Sequence, residues 1–395
     1  MSLRRTPLAV LNLLNQPVRT VVSVTGVTFA LVLVFMQLGF LGAVGHTATI
    51  VLDRLEFDLL IRSPEYLHLY EAGLVEQNLL HLLAGHSQIE EVTPFYIMLQ
   101  RWQSLGDDQL YQGIAVMGMR LDQPVFDIPE IGDQLTSLTR SDAVLIDRAT
   151  RADFGPADGV RFGDQDIGRS TILGQQRVQI VGHFRVGTGL ATNGALLMSE
   201  ATFDRITPVD VRQHASLGLA RLKPGVDPDQ AAEQIRTWLA TRLQRPVPPV
   251  EILSRNEAVQ WERNRWIRQT PIGLIFQMGT GLALVVGAGI VYMVLSTDVT
   301  NRLPEYATLK AMGYGGTYLR SVVLAQAWWF AMLGFVPATL LALLLYQMVG
   351  WLSGIEVTMT IGRMAMVALL AVGMCTLSGL GALRQLDRAE PAALF

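Results

Sequence analysis

Four stretches of this 395-residue chain, at 20–45, 270–297, 321–348 and 364–383, contain no Asp, Glu, Lys, Arg or His. Each is long enough to cross roughly 30 Å of hydrocarbon, and one arginine at the centre of any of them would cost about 2.5–3.5 kcal/mol on insertion. Charge is excluded from all four, so the expected fold is a membrane protein with four transmembrane α-helices. Composition agrees: 50% of the residues are hydrophobic and 16% charged, against about 25% charged in soluble domains.

The first two spans are separated by about 225 residues, ample for a core of its own. The expectation is a large α+β extracytoplasmic domain inserted between helices 1 and 2. The net charge of −3 argues against a nucleic-acid partner. The single cysteine, Cys375, lies inside the fourth span, so neither an intrachain disulfide nor a cysteine metal site is available. The first apolar run is too long for the h-region of a cleaved signal and reads as an anchor.

Residues 1–19 hold Arg4, Arg5 and Arg19 and no acid. Thr6 and Pro7 can open a short amphipathic helix lying on the inner membrane surface, with these arginines as a cytoplasmic anchor. The positive-inside rule then puts both termini in the cytoplasm and the large region, with its domain at 46–253, outside. Arg263, Arg265 and Arg268 precede the second span on the opposite side and pull the other way, but long translocated domains tolerate such charge. The layout continues with a helix at 254–297 that includes the second span, and a cytoplasmic loop at 298–320. A span at 321–349, a periplasmic loop at 350–363, a span at 364–384 and a cytoplasmic tail at 385–395 complete it.

Within the outer region, strands are expected at 57–62, 97–101, 110–117, 143–146, 177–186, 195–198 and 217–222, with a helix near 74–83. Residues near 120–215 read as an insertion that splits the region into two subdomains. Asp227 followed by Pro228 opens an amphipathic helix with Ala232, Ile235, Leu239 and Leu243 on one face. Ser254 and Glu257 form a capping box. A helix starting there and running through the second span to residue 296 would be roughly 60 Å long, a stiff lever with a kink at Pro271. Small residues four apart, Gly39 and Ala43, Ala283 and Gly287, Ser378 and Ala382, allow close helix contact, either within the chain or across a dimer.

The loop after the second span reads TDVTNRLPEYATLKAMGY at 297–314. Pro304 suits the first position of a two-turn helix and Gly313 the left-handed position beyond its end. Arg302 and Glu305 can pair, while Tyr306, Leu309 and Met312 share a face. Other chemistry is scarce. The only lysines, Lys223 and Lys310, precede Pro224 and Ala311, so the G-x-x-x-x-G-K-[ST] phosphate loop is absent and ATP is not bound by that route. His81 and His86 are five apart, wrong for a helical metal pair. Asp164 and Asp166 lack the other ligands of a calcium loop. Gly187, Gly189 and Gly194 lack dinucleotide spacing and read as a mobile loop. No residue set suggests a metal site, a nucleophile or an enzyme, and no span carries the charge of an ion-coupled carrier.

A large outer domain followed by R-x-x-E-x-x-x-L-K-A-M-G at 302–313 resembles the FtsX/MacB-like permeases of ABC systems. TPIGLIF at 270–276, FDLLIRSP at 57–64, QPVFDIPEI at 123–131, LIDRATRADFGP at 145–156 and RAEPAALF at 388–395 are similar to the DevC-type branch. The resemblance extends over essentially the whole chain. Where the wider superfamily carries more arginine in the loop, this chain has Arg302 and Lys310, with Asp298 nearby.

The resemblance implies a coupling helix in which Arg302, Glu305, Tyr306, Leu309, Lys310, Met312 and Gly313 meet a separate ABC ATPase subunit, which alone binds ATP. It implies a homodimer in the bacterial inner membrane. It also implies a periplasmic membrane-fusion adaptor leading to a TolC-like outer-membrane channel, and a lipid-like cargo of glycolipid type. Such a permease is a mechanotransmitter, relaying ATP-driven closure to its outer domain. Alternatives within the superfamily are a lipoprotein-releasing permease and an FtsX-like scaffold that controls a periplasmic hydrolase.

Overall fold

The computed structural model describes residues 17–106, 109–187, 189–245, 248–302, 304–305, 308–309, 312–353 and 357–388. The chain divides into two units. One contains residues 44–269, the other 1–43 and 270–395.

The outer unit is built on β1 (Leu59–Arg62), β2 (Val75–Glu76), β3 (Ile89–Gln103), β4 (Tyr111–Met119), β5 (Ala143–Asp147), β6 (Ser170–Leu173), β7 (Gln176–Phe184), β8 (Ala195–Ser199), β9 (His214–Ala215), β10 (Leu217–Leu222) and β11 (Glu251–Ser254). Nine of these form one sheet in the order β11-β1-β10-β3-β4-β8-β5-β7-β6, and β2 pairs with β9 separately. The pairs β4–β8 and β5–β7 are parallel, the other named pairs antiparallel.

Strand β3 serves two sheet regions. Its first half pairs with β10 and its second half with β4, and Phe95 has a partner on each side. Near its end Trp102 stands opposite Leu173 of β6, which closes β3-β4-β8-β5-β7-β6 into a ring. Trp102 is fully buried and its indole N–H donates to the Phe154 carbonyl at 3.2 Å. Strands β5 to β8 of the ring fall within the segment near 120–215, while β3 and β4 precede it. Strand β6 was not legible: four residues of mixed burial carry too little pattern.

Helix α1 (Pro17–Thr49) leads into the outer unit, which also holds α2 (Gln77–Ala84), α3 (Glu200–Ile206), α4 (Pro228–Leu243) and α5 (Arg255–Asn264). In α4, the Asp227 carboxylate accepts the Gln230 N–H and Pro228 occupies the first turn, where no donor is missed. Ala231, Ala232, Ile235 and Leu239 are buried. Burying a side chain such as Leu239 contributes roughly 1.5–3 kcal/mol, so an aspartate there would detach the helix. Gln244, in the left-handed region with φ 51°, ends it.

The predicted single helix at 254–297 is not what forms. The capping box is present: the Ser254 hydroxyl accepts the Glu257 N–H at 3.3 Å and the Glu257 carboxylate accepts the Ser254 N–H at 2.9 Å. Helix α5 then passes into a π-turn at Arg265–Gln269. Thr270 is extended, with φ −104° and ψ 153°, and its hydroxyl caps α6 (Pro271–Asn301). The reason lies in Pro271: its ring disfavours helical backbone at the preceding residue and it has no N–H to donate into the previous turn. A proline read as a kink is a break, and the 60 Å rod does not exist.

In the second unit, α1, α6, α7 (Gly316–Ser353) and α8 (Ile361–Arg388) are each long and apolar enough to cross a membrane. Their inner faces meet in a core that includes Val27, Phe35, Val291, Phe330 and Ala371. Large apolar side chains face outward, among them Met278, Val285, Leu340 and Leu369, as lipid contact requires. The small residues serve packing within the chain. A Cβ on Gly39 would lie 2.5 Å from the Tyr346 hydroxyl, and one on Gly287 would touch Ala30 and Met374. Ser378 donates to the Ala288 carbonyl at 3.1 Å, and Ala43, Ala283 and Ala382 are buried.

Candidate functional site

The loop singled out from sequence begins at the C-terminal end of α6. Arg302 closes that helix, its N–H bonded to the Val299 and Thr300 carbonyls. Pro304, Glu305, Thr308 and Leu309 are helical. Gly313 takes φ +91°, and the Met312 and Tyr314 N–H groups bond back to the Thr308 and Leu309 carbonyls, closing the turn as left-handed helix ends do. Tyr306 and Lys310 lie outside the described residues, as do Arg4 and Arg5.

The side chains do not share one role. Glu305 is exposed, Leu309 half-buried, and Met312 is 62% exposed. Arg302 is buried, 4% exposed, and so is Asp298 one turn earlier on α6. The Arg302 Nε donates to the Asp298 carboxylate at 3.3 Å, and its Nη1 stands 3.7 Å from the Glu305 carboxylate. The expected Arg302–Glu305 pair is present, and the contact with Asp298 is the shorter of the two. Arg19, read as a membrane-surface anchor, is exposed near the start of α1.

In the outer unit, two side chains of α5 tie that helix to its surroundings. The Arg255 guanidinium donates to the carbonyls of Leu55 at 2.7 Å and Asp53 at 3.0 Å, with longer contacts to Phe57 and Leu52. These carbonyls lie just after α1, so one planar fork of donors joins the chain entering the outer unit to the helix leaving it. About two turns on, Glu262 is 1% exposed and accepts from the Tyr66 hydroxyl at 2.7 Å, the Trp266 indole at 2.9 Å and the Leu69 N–H at 3.2 Å. Burial, followed by the adjacent Glu262 charge, pushes the Tyr66 hydroxyl pKa well up, so it stays a donor. Arg62 stacks on Trp261 at 3.8 Å and on Tyr66 at 4.5 Å, and pairs with Glu251 at 2.7 Å. Sequence reading passed over Arg255 and Glu262. The one signal that could have found Glu262 is its i,i+4 spacing to Trp266.

The remaining sequence candidates are structural. Asp147 is buried and accepts the N–H groups of Ala149, Gly187 and Val186 at 2.7, 2.7 and 3.1 Å. Burial raises its pKa against those bonds. Gly187, expected in a mobile loop, donates its N–H to Asp147, and Gly189 takes a left-handed φ of +70° where an added Cβ would meet the Tyr70 hydroxyl. Asp166 is committed to Ala157, Gly163 and Arg169, and Asp164 pairs with His183 at 2.6 Å, so neither is arranged as a calcium ligand. His86 packs against Trp238. His81 borders a polar cleft of about 460 Å³ that Gln77, Arg120, Gln123 and Glu200 also line. Among the described residues no three His, Cys, Asp or Glu side chains converge as metal ligands do.

Four apolar spans with a large outer unit inserted after the first define a class of membrane permease, and comparison with known proteins gives the family. The signature described as MacB-like periplasmic core domain matches residues 20–238, more than half of the chain, and that described as FtsX-like permease C-terminal matches residues 278–391. The chain belongs to the FtsX/MacB-like permeases, ABC-type transporter components of the membrane. Among solved structures it is similar to the periplasmic region of MacB from Actinobacillus actinomycetemcomitans, at 12% identity and TM-score 0.35, over 53% of this chain and 94% of that one. It is also similar to the extracellular domain of the noncanonic ABC-type transporter YknZ from Gram-positive bacteria, at 10% identity and TM-score 0.34, over 50% of this chain and all of that one. No curated protein matches it.

Proposed function

We propose that this chain is the permease of a DevC-type tripartite exporter, a mechanotransmitter in the bacterial inner membrane that carries work from an ABC ATPase subunit to its outer domain. The observation that carries this reading is a division of labour. The loop after α6 offers an exposed acid and an exposed apolar side chain, Glu305 and Met312, while the chain has no phosphate-binding loop of its own. A motor must therefore dock from outside, and residues 302–313 are where it docks.

In this reading both termini are cytoplasmic and the permease works as a homodimer. The outer unit engages a periplasmic adaptor that leads to a TolC-like channel, and the cargo is lipid-like, of glycolipid type. Work reaches the outer unit through two connectors, because Arg255 holds the end of one to the start of the other. Because the helix breaks at Thr270, the Arg255 contacts take the place of one long helix in this reading.

The test is reconstitution of the full chain with its ATPase in nanodiscs. Glu305→Lys combined with Met312→Asp abolishes permease-stimulated ATP hydrolysis while membrane insertion stays intact. Unchanged stimulation in that variant removes the docking assignment. Capture of a cell-wall hydrolase, or of lipoprotein with no adaptor, would replace the export role.

A further inference from the structure

Within R-x-x-E at 302–305, the two charges are placed in opposite ways. The Arg302 side chain is 5% exposed and the Glu305 side chain 56% exposed. A residue that contacts another subunit presents polar atoms outward, whereas the Arg302 side chain is enclosed, with its Nε on Asp298, itself 5% exposed, and its Nη1 toward Glu305. We infer that Arg302 is a positioning residue, not a docking residue, and that Glu305 is the acid that meets the motor, whose surface must present a lysine or arginine there. This rests on the proposed docking of an ATPase at this loop.

The physical case starts with Asp298. A carboxylate buried at the end of α6 is strongly unfavourable without a cation, so Arg302 cannot leave it. Glu305 is solvated and loses little if Arg302 withdraws. The guanidinium is a planar fork of five N–H donors, able to serve both acids at once. Its contact with Asp298 is through Nε at 3.3 Å, and that with Glu305, at 3.7 Å, is beyond hydrogen-bond length. A partner cation arriving at Glu305 takes over the weaker contact and leaves Arg302 to close fully on Asp298. Docking at an exposed acid thereby tightens the last turn of a membrane helix, with no part of the partner reaching into the bilayer.

The experiment uses the full chain in nanodiscs, alone and with the ATPase, in five variants: Asp298→Asn, Arg302→Met, both together, Glu305→Gln and Glu305→Lys. Alone, Asp298→Asn and Arg302→Met each lower the unfolding midpoint, and the double variant loses less than the two added together. Glu305→Gln leaves the midpoint in place and raises the ATPase concentration for half-maximal stimulation about tenfold, the loss of one charge-assisted contact. Glu305→Lys abolishes stimulation at any concentration.

Arg302→Met with an unchanged midpoint but weakened docking would make Arg302 a direct contact and overturn the positioning role. Additive losses in the double variant overturn the pair. Full stimulation in Glu305→Lys overturns the docking acid. If the unaltered chain stimulates no ATPase, the proposed function itself falls, while the unfolding cycle still decides whether Arg302 serves Asp298.

Discussion

Two buried carboxylates, one in each unit, are stabilised by different means. Glu262 in the outer unit is surrounded by neutral donors, a phenol, an indole and a backbone N–H, all within 3.2 Å. Asp298 in the membrane unit relies on a cation that also leans toward a second, exposed acid. Neutral donors fixed by packing hold one geometry, so the Glu262 joint is built to stay closed. A guanidinium that also reaches an exposed acid is open to exchange at that acid, so the Asp298 joint can redistribute. The comparison teaches that a carboxylate held by several packed neutral donors is fixed, whereas one held by a cation that also reaches an exposed acid is open to change at the surface.

The sharpest way to break this comparison is Glu262→Ala. It leaves three buried donors unpaired, at about 1–3 kcal/mol each, and the expected loss is about 4 kcal/mol or more, read from denaturant unfolding by the fluorescence of Trp261 and Trp266. A loss below about 1 kcal/mol would show that the joint is not held by this carboxylate. Arg255→Lys comes next: it keeps the charge but loses the planar fork. The expectation is about 2 kcal/mol of stability and a permease whose stimulated ATP hydrolysis persists while export fails. Gly189→Ala forces a Cβ into a left-handed backbone against Tyr70, at roughly 1–3 kcal/mol. Ser254→Ala removes the α5 cap for about 1 kcal/mol; a larger effect would mean that the cap positions Glu262 as well.

A third buried carboxylate sharpens the contrast through pH. Burial raises the Asp147 pKa above its ordinary value of 3.8. A folded-state pKa above the unfolded one means that the native state holds the proton more tightly, so stability from this group is present in acid and is lost as pH rises through the raised pKa. The unfolding midpoint of the unaltered chain relative to Asp147→Asn therefore falls as pH is raised from about 4. A gap that widens instead would mean that the Ala149, Val186 and Gly187 N–H groups outweigh burial.

Much of this molecule could be read along the chain. The spans were legible because charge exclusion from hydrocarbon acts on each residue separately. Helix α4 was legible because Asp227, Pro228 and the Ala232–Ile235–Leu239 spacing all act within two or three turns, and the Ser254–Glu257 box and the Gly313 turn for the same reason. Even Pro271 acts locally, since its restraint on Thr270 is one bond away. By contrast, Trp102 closing a ring against Leu173, and Tyr66 reaching Glu262, join residues 71 and 196 apart.

The amino-acid order by itself determined what each segment must avoid or prefer: which runs shun water and which residues begin or end helices. Only the tertiary structure decided which charges are buried and who answers them. Arg302 and Glu305 look alike as charged loop residues, yet one is enclosed and the other open. The reason is that local preferences depend on a residue and its neighbours, whereas burial depends on what arrives from elsewhere in the chain, and that sets the cost of leaving a charge alone.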